Sequence, residues 1–191
     1  MSRPLRRAFL FLSQNGYMRS LIILIYLLCA FKTNAQETPF PAGWAGHWKG
    51  ELQWFRPGQP EPRLVNMELK IRSLDSAGVY TWQIIYGKPE SDNRPYLLLP
   101  KDPAAGHFQI DERNGIVLDQ FRTGNRISGA FTVGSTTIVN SYRLEAADLI
   151  VEFYSLGAQP LSSTGAGTEE SPKVDSYRLS GYQKAVLKKT N

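Results

Sequence analysis

Val65-Asn-Met-Glu-Leu-Lys-Ile-Arg72 decides the fold. Val65, Met67, Leu69 and Ile71 fall on one side of an extended chain, and Asn66, Glu68, Lys70 and Arg72 on the other. A helix scatters these positions round its circumference, whereas a strand with one buried face sorts them cleanly. Val79–Tyr86 repeats the pattern, with Tyr80, Trp82, Ile84 and Tyr86 opposite Val79, Thr81, Gln83 and Ile85. Working outward, strands are predicted at 47–55, 95–99, 106–110, 115–121, 126–133, 136–144, 148–155 and 174–187, about ten in all.

The separators suit hairpins. Asp75-Ser-Ala-Gly78, Asp111-Glu-Arg-Asn-Gly115, Thr123-Gly-Asn125 and Val133-Gly-Ser135 supply residues that tolerate positive φ. No stretch reads as a long amphipathic helix. Sequential hairpins with alternating faces predict an all-β domain, a single antiparallel up-and-down barrel, because closure removes exposed edges. Leu156–Lys173, rich in Ser, Thr and Gly, is expected to be a mobile loop before the final strand.

Charge divides the chain. It carries 22 Lys+Arg against 17 Asp+Glu, a formal net charge of +5. Residues 1–35 hold five of the basic residues (Arg3, Arg6, Arg7, Arg19, Lys32) and no acidic one, so residues 36–191 balance 17 against 17. A neutral domain has no overall field to gather nucleic acid. Within the leading stretch, Met18-Arg-Ser20 precedes an apolar run over Leu21–Phe31, and Ala35 follows as a small residue at a cleavage position. That arrangement predicts a secretory signal peptide over residues 1–35, with Met18 an alternative functional start and an uncleaved anchor the competing reading. Arg6-Arg7 also suits twin-arginine export. The expected destination is the periplasm or the outside, with no membrane span left after cleavage. Cys29, the single cysteine, lies in the leader, so the domain has no disulfide or thiolate.

Gly46-His47-Trp48 opens the first strand. In this G-x-W start and its strand pattern, the domain over residues 36–191 resembles the lipocalin and related calycin barrels. The resemblance implies that Trp48 closes the barrel floor beneath a basic residue from the last strand, with Gly46 beside it and Arg178 the counterpart of that basic residue. Aromatic side chains on the inward faces, Trp54, Tyr80, Trp82, Tyr86, Tyr96, Phe131 and Tyr142, form the expected wall of a pocket for a small, largely apolar ligand. The same side chains also suit a filled interior, which would make the protein an envelope structural or interaction protein. Asn140 sits among the apolar positions Ile138, Tyr142 and Leu144, and a buried amide needs a partner that a ligand or water would supply. Arg94 and Arg178 are the candidate anchors for an acidic headgroup.

Catalytic signals are sparse. Asp111-Glu112 lies beside the Asn114-Gly115 turn and reads as turn chemistry. His47 and His107 are the only histidines, and a metal site would need both together with carboxylates. No cofactor, metal or nucleic-acid partner is expected. An enzyme built from barrel tyrosines and carboxylates is the remaining reading, without a motif to name its reaction.

Overall fold

A computed structural model describes residues 40–190; the expected leader and its cleavage site lie outside the described residues. Ten strands follow in order: β1 (Gly46–Phe55), β2 (Arg63–Ile71), β3 (Tyr80–Tyr86), β4 (Asn93–Asp102), β5 (His107–Asp111), β6 (Val117–Thr123), β7 (Arg126–Val133), β8 (Thr136–Glu145), β9 (Asp148–Thr164) and β10 (Val174–Thr190). Each is antiparallel to its sequence neighbour, and β10 pairs with β1 to close the barrel. The predicted up-and-down topology holds. Among the described residues no helix is long and apolar enough to cross a membrane.

The deciding stretch behaves as its alternation demands. Met67, Leu69 and Ile71 are buried while their neighbours stay at least partly exposed. On β1 and β3 the inward set is Trp48 and Leu52, then Trp82 and Ile84. With Leu98, Phe108, Ile127, Leu149 and Leu187 these fill the half of the barrel that holds the start of β1 and the end of β10. The lead-in adds a plug there. The short 3-10 turn Ala42–Trp44 buries Trp44, whose carbonyl accepts a hydrogen bond from Trp48 Nε1 at 2.9 Å. Phe40 packs edge-on against both Trp44 and Phe108, with ring centroids 4.8 and 5.0 Å away.

Two expectations need correction. The basic residue over Trp48 is Lys189, with Nζ 5.5 Å from the ring centroid; Arg178 is exposed elsewhere. The last strand runs on to Thr190, and its register sets Lys189 directly across from Trp48. Nor is 156–173 a continuous loop, since β9 runs to Thr164 and only the turn between it and Val174 lies outside strands. Ser and Thr tolerate an exposed extended chain, and here they pair with the start of β10. Beyond Ala158 on β9 and before Tyr182 on β10, these two strands pair, among the described residues, only with each other, as a ribbon past the barrel rim. Arg178 lies on that ribbon.

On the outer wall Glu68 joins neighbouring strands electrostatically. His47 Nε2 lies 2.7 Å from its Oε2 and Lys49 Nζ 3.0 Å from its Oε1. Burial alone would raise the Glu68 carboxyl, but hydrogen bonds from Lys49 and His47 outweigh it and hold the pKa below its ordinary value. A carboxylate depressed in the fold stabilises it fully above the unfolded-state pKa and loses that contribution as pH falls through the folded value. Glu68→Gln is therefore expected to lower the urea midpoint at neutral pH and to flatten its decline between about pH 5 and about pH 3. An unchanged acid slope would show that Glu68 contributes nothing to it.

Candidate functional site

Among the described residues nothing plugs the opposite end of the barrel. There the end of β1, the start of β2, the end of β3 and the start of β4 surround a cavity of about 470 Å³. Leu52 and Val65 line its depth, Trp54 and Tyr86 its walls, and Arg63, Ser91, Asp92, Arg94 and Gln183 its rim. A second cavity of about 70 Å³ lies farther round the barrel, lined by Tyr96, Glu112, Phe131, Asn140, Tyr142 and Phe153 among others. Tyr86 and Arg94 line both cavities and so form the partition between them.

The partition is held from outside. Arg94 Nε and Nη2 donate to the two carboxylate oxygens of Asp92 at 2.8 and 2.9 Å, while the guanidinium carbon lies 4.8 Å from the Tyr86 ring centroid. Its hydrogen bonds to Asp92 raise the Arg94 pKa, so the guanidinium is charged throughout the working range. Burial raises the Tyr86 phenol and also that of Tyr96, where Glu112 adds to the rise and Arg94 opposes it. Tyr142 is pushed up to about 12 by burial, with Trp82 and Asn140 acting in the other direction. All three remain neutral phenols near pH 7.

The sequence-predicted residues divide by height along the barrel. Trp54 walls the larger cavity, Tyr86 and Arg94 the partition, and Tyr96, Phe131, Asn140 and Tyr142 the smaller one. Trp82 faces inward as expected but lies in neither cavity lining; it is fully buried in the plug, edge-on to Tyr142 at 5.0 Å. Arg178 is absent from both linings. Asn140 has its partner within the protein, since its amide exchanges hydrogen bonds with Gln120 at 3.0 and 3.4 Å. Gly129 makes the room, for a Cβ there would collide with the Gln120 amide and the Asp119 carbonyl.

Sequence reasoning passed over Leu52, Arg63, Asp92 and Gln183, although the parity of β1 and β2 placed Leu52 and Arg63 on the inward face. Asp111 does serve its turn, accepting from the Arg113 amide at 2.7 Å, but Glu112 reaches the smaller cavity. His47 and His107 stand on the outer wall, paired with Glu68 and Asp119. Among the described residues no group of three or more His, Cys, Asp and Glu side chains is placed to hold a metal ion. The closed ten-stranded barrel is compatible with a lipocalin-like fold. No protein-family model and no curated protein matches the chain.

Proposed function

We propose that this protein is an exported barrel that binds a small, largely apolar molecule through the open end of the barrel. The observation that carries the reading is the cavity of about 470 Å³ between Leu52, Trp54, Val65 and Tyr86. Its volume falls in the range of small-molecule sites, roughly 300–1,000 Å³. Its lining joins Leu52, Trp54, Val65 and Tyr86 to Arg63, Ser91, Asp92, Arg94 and Gln183, a mixture that can bury an apolar body and give a polar end its partners. The reading includes no reaction; burial keeps the Tyr86 and Tyr142 phenols neutral near pH 7, as hydroxyl groups able to hydrogen-bond the polar end of a ligand.

Trp54 provides the readout. It lines the cavity, whereas Trp44, Trp48 and Trp82 are buried in the plug. Native mass spectrometry of protein purified from its own host is expected to show a bound small molecule on a chain whose mass begins at Gln36. Releasing that molecule should change the tryptophan fluorescence, and Trp54→Phe should remove the change. Repeated ligand-free spectra would overturn the reading in favour of an interaction protein. The ribbon past the rim, with Leu161, Val174, Tyr177 and Leu179 exposed, is the observation that favours that second reading.

A further inference from the structure

Resting on the binding reading, we infer that the ligand is an amphipathic monoacid, whose carboxylate is taken by Arg63 and Arg94 at the rim while its apolar body enters the larger cavity. Charge count comes first. The cavity is lined by two arginines and one carboxylate, Arg63 and Arg94 against Asp92, which leaves 2 − 1 = 1 positive charge facing an apolar interior. Among the described residues Arg63 makes no ion pair; Asp92 is taken by Arg94. Arg56, over Trp54 but outside the lining, also makes no ion pair among the described residues and adds to the positive charge at the mouth, so the cavity favours a ligand with an acidic group on an apolar body, and the lining itself balances one such charge.

Geometry narrows the anion to a planar one. Arg94 rests on an aromatic ring, its guanidinium carbon 4.8 Å from the Tyr86 centroid; the Trp54 ring carries Arg56 at 4.2 Å, with Arg63 farther off at 6.0 Å. A guanidinium resting on a ring keeps its N–H edge for a planar, two-pronged acceptor. Asp92 already shows this, gripping Nε and Nη2 of Arg94 with both carboxylate oxygens and leaving Nη1 over. It is a resident stand-in for the ligand carboxylate and also its competitor. The Arg94 side chain is 43 % exposed, so a ligand carboxylate that displaces Asp92 can reach it.

The competition gives the test an unusual sign. Decanoate and decanol share one apolar chain and differ in the headgroup, so titrating each while following tryptophan fluorescence separates anion recognition from burial. Decanoate is expected to bind about tenfold more tightly than decanol, as charge-assisted hydrogen bonds require. Arg63→Gln should erase most of that preference. Asp92→Asn should strengthen decanoate binding by about threefold, because it releases Arg94. Glu90→Gln makes the same charge change outside the cavity lining and should leave it unaltered. Equal affinities for decanoate and decanol would overturn the monoacid inference and leave the binding reading standing. So would an Asp92→Asn variant, folded by its thermal midpoint, that binds decanoate no better than the parent. Binding of neither compound would remove both readings.

Discussion

Trp82→Ala is expected to destabilise the barrel by about 3–5 kcal/mol, the range for deleting a fully buried aromatic side chain. The indole is 0 % exposed and stands where the plugged half meets the cavities, edge-on to Tyr142 and within the same core as Met67 and Leu98. Its neighbours belong to a closed ladder, and a closed barrel cannot collapse inward over a void without breaking strand pairs. The loss should therefore fall toward the upper part of that range. Urea unfolding followed by far-UV circular dichroism checks it, with Trp82→Phe expected to keep most of the stability. A loss below about 1 kcal/mol would mean that the plug is loosely packed. Trp82 Nε1 is also buried with no hydrogen-bond partner among the described residues, so part of the indole's contribution is already offset in the parent.

Alternation gives the face of a residue but not its height in the barrel, and the successes and failures of the sequence reading sort along that line. Trp54, Trp82 and Tyr142 all point inward, as their parity says. Their positions, in the wall of the larger cavity, in the plug and beside the smaller cavity, depend on register and closure, which no single strand contains. The basic residue over Trp48 failed for the same reason. Arg178 and Lys189 both belong to the last strand, and the choice between them lies in the pairing of β10 with β1. A strand taken to stop at 187 leaves Lys189 out of consideration. The ribbon was hidden differently: its Ser, Thr and Gly residues carry no apolar alternation, because neither of its faces meets the core.

Asn140→Leu should cost about 1–3 kcal/mol, and Gln120→Leu combined with it should recover most of that loss. The two amides face each other inside the barrel, each donating to the other's carbonyl oxygen, and both are almost wholly buried. Removing one leaves a buried amide without its partner, which carries the full desolvation cost; removing both leaves leucines of similar size in an apolar setting. The asymmetry between single and double variants is the signature of a closed pair. A polar group held ready for a ligand would behave otherwise, since its single replacement would change binding more than stability. Urea unfolding of the four proteins in the cycle, with decanol titrated into each, distinguishes the two. A coupling near zero, together with weakened decanol binding in Asn140→Leu alone, would make Asn140 a ligand contact. Gly129 sharpens the expectation, because its missing side chain is what lets the Gln120 amide lie beside β7. Gly129→Ala should therefore destabilise the parent and the double leucine variant alike, since the clash with the Asp119 carbonyl is common to both.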